Sequence, residues 1–144
     1  MNIDKQRIAI AETLGIRVNF WFFQWLSGDK KTWVDSPPYK TEDTAREEMD
    51  DTKNYGPVRW IGEVKCVIDA PDYLNNLDDI CGAVESLRNN QFHYVRYPRE
   101  LFEVVSKRKW TGDMGYFLFN LVNATAGQQC EAYLKTLDLW TEDK

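Results

Sequence analysis

Arg17-Val18-Asn19-Phe20-Trp21-Phe22-Phe23-Gln24-Trp25-Leu26 is the stretch whose reading decides the fold. In an extended chain, side chains alternate between faces. Val18, Phe20, Phe22 and Leu26 therefore go one way, and Trp21, Phe23 and Trp25 the other. Both faces are apolar, which is the pattern of a strand covered on each side rather than wet on one. Ser27-Gly28-Asp29-Lys30 reads as a turn and residues 31–35 as a short partner strand, so this region predicts a hairpin.

Elements on either side extend the pattern. Residues 2–14 read as a helix capped by Asn2, with Ile3, Ile10, Ala11 and Leu14 on one face and Leu14-Gly15-Ile16 as its stop. After Ser36-Pro37-Pro38, residues 41–53 read as a short acidic surface helix. Thr44 and Glu47 have capping-box spacing, and Ala45 and Met49 are its few apolar residues. Residues 58–68 alternate Val58, Trp60, Val64, Cys66 and Ile68 against Arg59, Glu63 and Lys65, as in a strand, with Gly62 placed for a bulge. Ala70-Pro71-Asp72 reads as the opening of a second helix striped by Leu74, Leu77, Cys81, Val84 and Leu87. Residues 92–97 are expected to be extended. Pro98 is placed to begin a further helix carrying Leu101, Phe102 and Val105. Residues 116–122 are apolar on both faces and predict another covered strand. A closing helix is capped by Thr125 and striped by Cys130, Tyr133, Leu134 and Leu137, with Trp140 and a frayed tail at 141–144 beyond it. Together these predict an α+β fold: one three-layer helix–sheet–helix sandwich domain over 1–144, with a mixed or mainly antiparallel sheet.

Composition narrows the function classes. The chain has 144 residues, 43% hydrophobic and 28% charged, as in an ordinary globular domain. No apolar run approaches the roughly 20 residues of a membrane-spanning helix, so no membrane partner is expected. Met1-Asn2-Ile3-Asp4-Lys5 has no apolar core of a secretory signal, which predicts a cytoplasmic location. Eighteen basic against 23 acidic residues leave a net charge of −5, which argues against a nucleic-acid partner. Cys66, Cys81 and Cys130 have no C-x-x-C spacing and read as reduced, buried thiols.

Three stretches carry a family resemblance. They are residues 4–12 (Asp4-Lys5-Gln6-Arg7-Ile8-Ala9-Ile10-Ala11-Glu12), residues 71–77 (Pro71-Asp72-Tyr73-Leu74-Asn75-Asn76-Leu77), and residues 124–137, running from Ala124-Thr125-Ala126-Gly127-Gln128-Gln129-Cys130 to Leu137 and closing on Trp140. Covering about a quarter of the chain in the expected order, they resemble the phage ABA sandwich domain family of small phage and prophage proteins. The resemblance implies a three-layer fold and a phage or prophage origin, and no particular activity. Two departures stand out. Residues 36–68 are longer than the family pattern, as an insertion would be, and Ile80-Cys81-Gly82 replaces a Met-His-Glu-like run.

Known catalytic signatures are lacking. There is no P-loop, G-x-G-x-x-G or G-x-S-x-G segment, so no cofactor is expected. His93 is the one histidine, and no cysteine is spaced to join it at a metal. Residues 88–109 gather Arg88, Arg96, Arg99, Lys107, Arg108 and Lys109 with Tyr94 and Tyr97. That set would suit a protein interface, a homodimer mate or stacked bases. The acidic run holds Glu42, Asp43, Glu47, Glu48, Asp50 and Asp51 against Arg46, a phosphate-like surface able to attract a basic partner. The reading is therefore a non-catalytic accessory protein that binds a host or phage protein through Trp33, Tyr39, Tyr55, Trp60, Glu47, Glu48, Asp50 and Asp51. The alternative is a small enzyme or a nucleotide- or metabolite-binding protein with a pocket including His93.

Overall fold

The computed structural model describes residues 1–112 and 122–142. Its chain divides into two compact units: Arg17–Ile68, and Met1–Ile16 with the residues from Asp69 onward. The fold is α+β, with five helices and a three-stranded antiparallel sheet among the described residues.

In the sheet unit, β1 (Asn19–Leu26) lies between β2 (Trp33–Asp35) and β3 (Val58–Lys65), and both pairings are antiparallel. The expected hairpin is present. Asp29 holds its turn, accepting from the Ser27 hydroxyl and from the Lys31 and Thr32 backbone N–H groups, which lowers the pKa of its carboxyl. The register along β3 shifts between Phe22, opposite Gly62, and Phe23, opposite Trp60, which leaves Ile61 as the extra residue of a bulge. Gly62 has φ +99°, a conformation in which a Cβ is strained, so the predicted bulge falls at the glycine. The bulge also limits the expected alternation: Val58 and Trp60 are half-buried, but Val64 beyond it is exposed.

Helix α2 (Glu42–Thr52) packs on β1 and β3. Its buried residues are Ala45 and Met49, the two the sequence singled out. Its cap is Thr41 rather than Thr44: the Thr41 side chain accepts from the Thr44 N–H at 3.3 Å, and the two hydroxyls pair at 2.7 Å.

The second unit is helical, with α1 (Ile3–Thr13), α3 (Leu77–Ser86), α4 (Gln91–Ser106) and α5 (Ala126–Thr136). Asn2 caps α1, and Gly15 at φ +71° ends it, with the Ile16 N–H donating to the Ala11 carbonyl and the Gly15 N–H to that of Glu12. Ile10 and Ala11 are fully buried but Ile3 is exposed. Gln6 is buried on this helix, its amide donating to the Met1 carbonyl. Thr125 and Gln128 form a reciprocal capping box at α5, and Cys130, Tyr133 and Leu134 are buried as predicted.

Two helix starts differ from the sequence reading. Helix α3 begins at Leu77, capped by Asn76, because Asp72 builds a turn instead of opening a helix. Its carbonyl accepts from the Asn75 and Asn76 N–H groups, and its carboxylate from the Asn75 side chain. Residues 92–97 are helical rather than extended. Asn90 accepts from the Phe92 and His93 N–H groups and starts α4 there, leaving Pro98 inside the helix. Burial of Tyr97, Leu101, Phe102 and Val104 offsets the interior proline, and Val105 is only half-buried. The expected strand at 116–122 lies outside the described residues except for Val122, which is exposed.

Helices α4 and α5 are tied across by a charged clasp. Arg96 donates to both carboxylate oxygens of Asp138, at 2.8 and 3.0 Å, and to Glu100 at 3.1 Å. Asp138 has φ +58° and closes α5, with the Leu139 N–H donating to the Leu134 carbonyl. The guanidinium lowers the Asp138 pKa, so the clasp's stabilisation is present above the ordinary aspartate pKa and is lost as pH falls through the depressed one. Asp138→Asn keeps the tolerance for positive φ but removes the charge. The variant is expected to unfold at lower denaturant near neutrality, with the gap to wild type closing as pH falls below 3.8, measured by urea titration across pH. Gly62→Ala is expected to cost roughly 1–2 kcal/mol in the same assay, the penalty of a Cβ at positive φ.

Candidate functional site

All eight residues proposed as a binding surface lie in the sheet unit, and the structure sorts them into two groups. Trp60 is layered between neighbours: its ring stacks on Trp21 with centroids 6.0 Å apart, and the Arg46 guanidinium sits 4.3 Å over its centroid. Arg46 is itself held by Glu42 at 2.7 Å. Tyr39 stacks on Phe23 at 6.0 Å and exchanges backbone hydrogen bonds with Trp21. Burial raises the Tyr39 pKa, and the Glu48 carboxylate adds to the shift. Trp33 lies under Arg59 at 4.4 Å, next to a row in which Gln24 donates to Asp35 and accepts from Arg59. These three aromatics pack into the sheet's own faces. Tyr55, by contrast, is 91% exposed.

The acids form the second group. Ala45 and Met49 turn one side of α2 inward, and at about 100° per residue Asp43, Glu47 and Asp51 lie on the opposite side, flanked by Asp50. Asp43, Glu47 and Asp51 are spaced i, i+4, i+8, about 6 Å apart along the axis. Arg46 and Lys53 neutralise Glu42 and Asp50, but among the described residues no ion pair engages Asp43, Glu47, Glu48 or Asp51. Glu42 and Asp43 suit the positive start of the helix dipole. Asp50 and Asp51 sit in its last turn, which holds no basic residue, where the dipole opposes negative charge.

In the cationic stretch of the helical unit the three arginines of its first half are paired: Arg88 with Glu85, Arg96 with Glu100 and Asp138, and Arg99 with Glu103. Tyr97 is buried and Tyr94 exposed. His93 meets Phe92 edge-on at 5.9 Å, and its charge contributes to lowering the Asp138 pKa. It does not line the cavity between α3 and α4, which instead takes in Cys81. Among the described residues no group of three or more His, Cys, Asp or Glu side chains could hold a metal ion. No described helix is long and apolar enough to cross a membrane.

The cysteines also divide. Cys130 is fully buried, its thiol donating to the Tyr73 carbonyl at 3.2 Å, and burial pushes its pKa up to about 12. Cys66 is half-buried, whereas Cys81 is exposed, against the expectation of three buried thiols. Compared with known proteins, the chain matches no family model, no curated protein and no solved structure.

With a thiol reagent at pH 8, Cys81 is expected to react first and Cys130 only on unfolding, since a thiol with a pKa near 12 is almost wholly protonated there. Peptide mapping of the labelled sites at successive times checks the order.

Proposed function

We propose that this chain is a non-catalytic accessory protein of phage or prophage origin that acts in the bacterial cytoplasm by binding a basic protein. The outer face of α2, with Asp43, Glu47, Asp50 and Asp51, and the exposed ring of Tyr55 make the contact. The observation that carries this reading is the pair of aspartates in the last turn of α2. Negative charge there costs helix stability, typically 0.3–1 kcal/mol per charge, and Lys53 compensates only Asp50. Residues that break a local rule without a gain inside the fold point outward, to function. A basic partner would supply the missing countercharge, and like charges about 6 Å apart on one face would speed its approach.

The phage ABA sandwich kinship and its three-layer arrangement belong to the same reading. Support for them comes from the bulky apolar residues on both faces of β1 and from the Thr125 cap within the third resembling stretch.

The triple variant Asp43→Asn, Glu47→Gln, Asp51→Asn tests the surface without altering a buried contact. It is expected to be about as heat-stable as wild type, since relief of two repulsions along the helix and of the dipole conflict at Asp51 offsets the favourable dipole interaction lost at Asp43. Immobilised wild type is expected to retain a basic protein from bacterial lysate, with retention falling as salt rises from about 0.1 to 1 M and the Debye length shrinks from ~10 to ~3 Å. The triple variant is expected to retain none of it. Equal retention by the variant, or retention insensitive to salt, would reject the acidic surface as the binding site.

A further inference from the structure

Helices α3 and α4 flank a half-open cavity of about 370 Å³ within the helical unit. Val84, Leu87, Tyr97 and Pro98 give it apolar walls, and the exposed Cys81 thiol stands at its side. An apolar cavity of roughly 150 Å³ accommodates a benzene ring, so this space has room for a ring or branched side chain and the atoms that carry it. Its polar groups are few. Arg88 and Glu85 form a 3.2 Å pair among the lining residues, with both side chains more than half exposed. Pro98, four residues on from Tyr94, has no N–H, so the helical hydrogen bond that would run from it to the Tyr94 carbonyl is not made. Tyr94 and the interior Pro98 both line this cavity, so the local cost of the proline falls beside it.

We propose that this cavity binds a free α-amino acid with an apolar side chain. The side chain fills the apolar space, the carboxylate meets the Arg88 guanidinium, and the ammonium group meets Glu85. The charges select the zwitterion. A ligand with only an anion leaves Glu85 opposing it, and one with only a cation faces Arg88. This site lies outside the acidic surface of α2 and does not depend on that surface's role.

Calorimetric titration with L-phenylalanine, 3-phenylpropionate and 2-phenylethylamine separates the possibilities. L-phenylalanine is expected to bind saturably and to slow iodoacetamide labelling of Cys81 several-fold. Each analogue, lacking one charged group, is expected to bind at least about tenfold more weakly. Arg88→Gln and Glu85→Gln should each weaken L-phenylalanine by a similar factor, and Val84→Trp, which fills the cavity, should abolish binding with the helical circular-dichroism signal intact. Equal binding of 3-phenylpropionate would overturn the zwitterion assignment, and binding unchanged by Val84→Trp would overturn the location. Absence of both heat and Cys81 protection in the wild-type protein up to the solubility limit of L-phenylalanine would overturn the proposal outright, whatever the variants do.

Discussion

Phe20 and Phe23 are each 2% exposed although they leave β1 on opposite sides. That constraint organises the sheet unit. A strand with large apolar groups on both faces must be central, with a hydrogen-bonded neighbour on each edge and cover on each surface. On the Phe23 side the cover is visible within the unit: Tyr39 stacks on Phe23, Trp60 stacks on Trp21, and α2 closes over them through Ala45, Met49 and the Arg46 guanidinium. The opposite side changes character along its length, from Phe20 to the Gln24–Arg59–Asp35 row beside Trp33. The bulge at Gly62 brings Trp60 opposite Phe23 instead of leaving the alternation unbroken.

The helical unit is held by contacts distant in sequence. Tyr73 donates nothing through its buried hydroxyl, and burial pushes that group's pKa up to about 12, yet its backbone carbonyl receives the Cys130 thiol. Thr13 and Tyr133 share a hydrogen bond at 2.8 Å, joining α1 to α5, and Arg7 donates to the Ala70 and Pro71 carbonyls. The residues of the family-like stretches therefore meet in this unit: Arg7, Pro71, Tyr73, Cys130 and Tyr133 all take part in its internal ties.

Both functional proposals rest on positions where local preference loses. Aspartates at the negative end of α2 and a proline inside α4 are each unfavourable for an isolated helix. The first leaves charge directed at solvent, and the second removes a helical hydrogen bond between residues that line an apolar cavity. The structure thereby narrows the surface read from sequence. Trp33, Tyr39 and Trp60 are occupied by their own neighbours, while the acids of α2 and Tyr55 remain available.

Much of the local structure was legible in the residues because it depends on near neighbours. Alternation marked β1, glycine marked the bulge, and Asn2, Gly15 and Thr125 marked helix ends, since caps and turns are settled within a few residues. The same locality made the acidic face of α2 readable from its spacing. Other outcomes turned on competition or distance. Asp72 serves a turn instead of a helix start, Asn90 outcompetes Pro98 as the place where α4 begins, and Gln6 is buried while Ile3 is not. The stacking of Trp60 and the grouping of Cys81, Glu85, Arg88, Tyr94 and Pro98 around one cavity needed the tertiary fold. Burial and encounter are properties of the packed chain, and no spacing along it encodes which distant side chains will share a space.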